Sequence, residues 1–155
     1  YLVIVSFSER ATVRFLNHTS GIEQHAYKHI LLFYYIGTFI GRSSLSFFTL
    51  DIPKIKLVTF LQFINTVIFF TVAKYEWMGM SMMMLVMIWI GILGGLSYAN
   101  CFYQIINTDR VSKEFKELAL NFGGILLDSG ILIVSVLGVV FAHTILAKDQ
   151  ILVQL

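Results

Sequence analysis

The sequence predicts an all-α, polytopic transmembrane helical bundle of about five spans. Three observations predict it. Hydrophobic residues make up 57% of the 155 residues and charged residues only 13%, whereas soluble domains carry about a quarter charged residues. Mean hydropathy is +0.81. The apolar residues fall in stretches that approach or exceed the roughly 20 residues a spanning helix needs, and the charges gather in short connections between them. So much apolar surface has to face lipid, or other helices within lipid, where helices satisfy their own backbone.

Taken in order, the first stretch is residues 1–15, which carries Glu9, Arg10 and Arg14. It opens on Tyr1 inside an apolar run and reads as the end of a helix whose beginning is absent, so the chain is expected to be a fragment. The second stretch is 26–48, the third 55–73, the fourth 78–106 and the fifth 118–146. Pro53 stands just before the third, where a helix start tolerates it. The last two exceed the bilayer minimum, so tilt or extension beyond it is expected.

The Lys and Arg distribution orients the spans. The connection after the second stretch carries Arg42, Lys54 and Lys56, and that after the fourth carries Arg110, Lys113 and Lys116. Both are expected on the cytosolic side. Asn17-His18-Thr19 is an N-glycosylation acceptor, which places Asn17 on a lumenal or extracellular loop. The alternation of sides agrees with both signals. Net charge of +2 is small and scattered, which argues against a nucleic-acid partner.

Polar residues inside apolar stretches are the candidates for function. Glu9 is an acid in the first stretch, able to meet a cation, a proton or a substrate group, unless the helix leaves the membrane near Ser8. Arg42 follows Gly37 and Gly41, small residues that permit close helix approach; it is a gate residue or a topology anchor. Gln62 and Asn65, three apart, share a helix face and read as interhelical glue or pathway lining. Asn100, near Tyr98, Tyr103 and Gln104, interrupts a Gly/Ser-rich half-helix and can line a polar pathway. Asp128 lies ten residues past Leu118, about 15 Å along the helix axis. A carboxylate that deep pairs, stays protonated or serves a translocation path.

Metal and cofactor chemistry is poorly supported. Cys101 is the single cysteine, so neither an internal disulfide nor a Cys/His zinc spacing exists. His25 and His29 are four apart, but only His18 and His143 remain to complete a histidine box. An interfacial pair that senses acidic pH is the more natural reading. The methionines between Met78 and Met87 read as packing filler or lipid-facing residues rather than a copper path. No metal, no cofactor and no enzymatic activity are expected.

Several segments resemble the battenin family. They are Tyr1-Leu2-Val3-Ile4-Val5 followed by Glu9, Gly41-Arg42-Ser43-Ser44-Leu45, and Leu61-Gln62 with Asn65. Leu93-Gly94-Gly95-Leu96-Ser97-Tyr98-Ala99-Asn100 and Glu114-Phe115 with Asp128 complete the set. The likeness runs in order over roughly the first 130 residues. It departs at Arg10 and Arg14, where relatives stay apolar and aromatic, and in the tail after Gly138.

The resemblance implies the C-terminal half of a major-facilitator-like transporter in the lysosomal or vacuolar membrane. It also implies a role in lumenal pH, basic amino acid or glycerophosphodiester transport. The expected partners are membrane lipid, a small-molecule substrate and a missing N-terminal half of the same protein. Glu9, Gln62, Asn100 and Asp128 are then substrate-pathway candidates, and Arg42 belongs to the gate. The alternative is a non-transporting membrane scaffold for trafficking or pH-regulating partners, docking through residues 109–117.

Overall fold

The computed structural model describes Ile4 and residues 7–12, 25–108 and 112–144, without the side chains of Glu9, Arg10, Ala142 and His143. The described residues are helical, joined by short connections. Helix α1 is Ser8–Thr12, α2 Ala26–Ser43, α3 Ile52–Tyr75, α4 Met80–Asn107 and α5 Lys116–Thr144. Single 3₁₀ turns, Ser44–Ser46 and Lys113–Phe115, precede the connection to α3 and the start of α5. Three helical segments are long and apolar enough to cross a membrane: α3, α4, and α5 together with the turn before it.

Helix ends differ from the sequence expectation for local reasons. The second stretch was expected to run to residue 48, but α2 stops at Ser43. The Ser44 hydroxyl donates to the Gly41 carbonyl at 2.6 Å. The Ser44 carbonyl then accepts the N–H groups of both Phe47 and Phe48, which tightens the chain out of α geometry. At 18 residues, with Lys28 and Arg42 near its two ends, α2 is not among the three spanning candidates.

Pro53 lies inside α3 rather than before it, because a first-turn residue has no intrahelical use for its N–H. At the other end of α3, Glu76 adopts φ 51°, ψ 32°, and its N–H donates to the Val72 carbonyl. This left-handed C-cap ordinarily falls to glycine. Lys116, at the start of α5, donates its ammonium to the Ile106 carbonyl in the last turn of α4, where a cation complements the helix dipole.

Helices α2 and α4 form the closest pair. Each carries glycines four apart, Gly37 and Gly41 facing Gly91 and Gly95, and all four are buried. A Cβ on Gly37 would fall on the Ile88 carbonyl, and one on Gly41 on the Ile92 carbonyl; Gly91 and Gly95 meet the Tyr34 and Thr38 carbonyls in the same way. The two backbones therefore touch over two turns. Small residues permit this, and in lipid such packing replaces the absent hydrophobic drive.

Around this pair, Ile30, Phe69, Val72, Met83 and Met87 form a fully buried core together with Phe7 and Ala11 of the N-terminal segment. Met83 and Met87 are thus packing filler, while Met82 is exposed. Helix α5 is packed least: 6% of its most apolar window is buried, against 22% for α3 and 33% for α4.

Candidate functional site

A cleft of about 610 Å³ opens between α2, α3, α4 and α5. Its polar lining comes from helical periodicity on three helices. Tyr34, Thr38 and Arg42 recur every four residues on α2, and Thr59, Gln62 and Thr66 at three and four on α3. Helix α4 adds Gly94, Ser97, Tyr98 and Cys101; α5 closes the far side with Gly123, Leu126 and Leu127. One face of α2, α3 and α4 is therefore turned inward, and those faces carry hydroxyls, an amide and a guanidinium, while α5 adds only glycine and leucine.

The lining groups are held in place by their own helices. Thr38 donates its hydroxyl hydrogen to the Tyr34 carbonyl, Thr59 to Ile55 and Thr66 to Gln62, at 2.9–3.0 Å. Back-bonding of this kind satisfies the donor and leaves oxygen lone pairs free to accept. Gln62 donates its Nε2 hydrogen to the Ile90 carbonyl at 2.8 Å, which joins α3 to α4 across the cleft. The Arg42 guanidinium lies 4.4 Å from the centre of the Tyr98 ring, a cation–π distance that holds the charge against the cleft wall. Among the described residues, Arg42 is the only charged one in the lining.

Of the residues expected from sequence, Arg42 and Gln62 meet in this cleft. Asn100 does not line it. Its side chain is completely buried. Its Oδ1 accepts the Leu50 N–H at 2.6 Å and its amide donates to the Leu96 carbonyl at 2.9 Å. Gln104, one turn on, donates to the Leu50 carbonyl at 2.8 Å. The pair grips both backbone groups of Leu50 and anchors the connection between α2 and α3 to α4.

Asp128 is exposed on α5, next to the cleft-lining Leu127 but outside the lining. Asn65 is buried, and its amide nitrogen has no partner among the described residues. The backbone of Glu9 lies in α1, while its side chain falls outside the described residues, as do Asn17, Arg14 and residues 109–111.

Thr38, Thr59, Thr66, Ser97 and Cys101 were missed as lining residues. The signal for the threonines was available: polar residues repeating at three and four within otherwise apolar spans. Among the described residues no His, Cys, Asp and Glu side chains gather to hold a metal ion. The His29 ring instead donates Nδ1–H to the His25 carbonyl at 2.9 Å.

The sequence profile of the family described as CLN3 protein matches residues 5–148. That match extends past Gly138, where the sequence reading had the likeness fade. Battenin of Dictyostelium discoideum is 31% identical over 150 residues, covering 96% of this chain and 35% of the relative. Protein btn1 of Aspergillus fumigatus is 36% identical over 109 residues, covering 70% and 23%. Protein BTN1 of Debaryomyces hansenii is 33% identical over 102 residues, covering 64% and 24%. The chain thus spans between about a quarter and a third of the length of these relatives. No solved structure matches it. With nearly the whole chain under the family profile, and the battenin of Dictyostelium aligned almost end to end with it, the chain belongs to the CLN3 protein family, that of the battenins.

Proposed function

We propose that this chain forms part of an endolysosomal or vacuolar membrane transporter, and that the cleft between α2, α3, α4 and α5 is part of its substrate path. The observation that carries the proposal is the set of polar groups from α2, α3 and α4 set into that largely apolar cleft. Hydroxyls, an amide and one guanidinium are turned inward from helices whose other faces are strongly apolar. Polar groups within membrane-spanning segments are expensive and commonly line substrate routes. In the major-facilitator-like reading the N-terminal half supplies the opposite wall, and access alternates by rocking one half against the other. The first stretch and α2 then complete about five crossings, with Asn17 on the lumenal side.

Between a basic amino acid and a glycerophosphodiester, the lining favours the phosphodiester. Among the described residues Arg42 is its only charge, and an exposed guanidinium at the cleft attracts an anion and repels a cation.

The test is flux in vesicles carrying the full-length protein. Gln62→Leu and Arg42→Gln each lower transport of an anionic phosphodiester at least several-fold while expression and helix content hold. Wild-type rates from both variants would remove the cleft from the mechanism. The 155 residues expressed alone give no flux, since they hold only one wall.

A further inference from the structure

Helix α5 carries a seam that the cleft does not use. Glu117, Asn121, Gly124, Asp128 and Ser135 recur at intervals of four, three, four and seven along it, with Ile131 the apolar member at the remaining step. That alternation of four and three keeps them on one stripe of the helix. The cleft-lining Gly123, Leu126 and Leu127 fall to one side of the stripe.

Three observations say that this stripe meets another protein helix rather than lipid. The acids Glu117 and Asp128 and the amide of Asn121 fall on it, and polar side chains within membranes commonly pair across helix interfaces. A Cβ on Gly124 would meet nothing within 4 Å, so its lack of a side chain serves no neighbour among the described residues. Glu117, Asn121 and Asp128 are exposed, and Asp128, in the middle of the span, has no hydrogen-bond or ion-pair partner among the described residues. A carboxylate facing hydrocarbon at that depth is unfavourable without a partner.

We infer that the α5 seam docks a transmembrane helix of the same polypeptide lying outside these 155 residues. That helix places a basic or hydrogen-bond-donating side chain opposite Asp128. The inference rests on the reading of this chain as one part of a larger transporter. The curated relatives are about three times as long as this chain, which leaves ample sequence to supply such a helix. Charge complementarity selects this occupant over a second copy. Two copies in one membrane share an orientation, so a twofold axis along the membrane normal sets Asp128 against Asp128. Like charges at close range repel, whereas a cation or donor satisfies the carboxylate.

The experiment is site-specific photo-crosslinking of the full-length protein in native membranes, with benzoylphenylalanine introduced at Asn121 or Ser135 on the seam. Phe122 and Val136, exposed on another face, serve as controls. Intramolecular adducts several-fold above the control positions are expected at both seam sites. Mapped by mass spectrometry, they fall on one hydrophobic segment outside residues 1–155, with a Lys, Arg, His or hydroxyl or amide side chain within a turn of the adduct. Adducts on a second copy, on lipid at the control yield, or within residues 1–155 would overturn the inference. So would a mapped segment without a donor. Crosslinks do not depend on flux. A seam adduct in a protein that transports nothing keeps the docking face and rejects the transporter, while flux with lipid-only adducts does the reverse.

Discussion

Gly94 and Gly95 are neighbours on α4, and the same substitution at each should shift stability in opposite directions. A Cβ on Gly95 would meet the Thr38 carbonyl, with the Arg42 nitrogen at 2.9 Å and the Gly41 Cα at 3.0 Å. All three are backbone atoms of α2 and cannot swing aside, so the helices must separate. Overpacking of this kind costs about 1–3 kcal/mol, and more where the contact is rigid. A gap of about 0.5–1 Å also forfeits a quarter to a half of each dispersion contact along the seam.

At Gly94 the nearest atoms are Gln62 Nε2 at 3.5 Å and the Tyr34 hydroxyl at 3.7 Å, ordinary contact distances. Both variants gain about 1 kcal/mol of helix propensity, since alanine loses less backbone freedom than glycine. Gly94→Ala should therefore be neutral or stabilising by up to about 1 kcal/mol. Gly95→Ala should be destabilising by up to about 2 kcal/mol net. At about 2–4 °C per kcal/mol, the two melting temperatures should differ by roughly 2–12 °C. The assay is fluorescence-detected size-exclusion thermostability of the full-length protein in detergent. Equal melting temperatures, or a weaker Gly94 variant, would refute the backbone contact between α2 and α4.

Other outcomes follow from single side chains. Asn100→Leu removes the acceptor for the Leu50 N–H; the lost bond, worth about 1–3 kcal/mol, appears as at least about fivefold faster hydrogen exchange in residues 47–51, and Asn100→Asp restores most of the protection. Asn65→Leu replaces an unpartnered buried amide and raises stability by about 1–3 kcal/mol, measured by the same melting assay; a drop would show that the amide has a partner elsewhere in the protein. Glu76→Gly relieves the left-handed C-cap of α3 and stabilises by up to about 1 kcal/mol, and an unchanged or lower melting temperature would contradict that geometry.

Much of the fold was legible because lipid imposes a simple rule on sequence. The third, fourth and fifth apolar stretches coincide with α3, α4 and α5 to within a few residues. Boundaries slipped where short-range bonding decides them. Ser44 closes α2 early through its own hydroxyl and carbonyl, and Pro53 joins the first turn of α3. Neither event leaves a mark in hydropathy.

The site was legible in part. Arg42 and Gln62 stood out as polar residues in apolar helices, and both line the cleft. Asn100 stood out for the same reason, yet it binds the Leu50 backbone. An isolated polar residue signals that it needs a partner. It does not say whether the partner is a substrate or a neighbouring loop.

Sequence alone determined that the chain is helical and apolar enough to lie in a membrane, and which family it resembles. Composition and periodicity are local properties, and the solvent reads them directly. Tertiary structure alone decided which polar residues share a cleft and that α2 and α4 touch backbone to backbone. It also left Asp128 outside that cleft. Those outcomes depend on the rotation of each helix against its neighbours. That rotation is set by how glycines, threonines and side-chain amides from distant parts of the chain fit together, and no single stretch of sequence contains it.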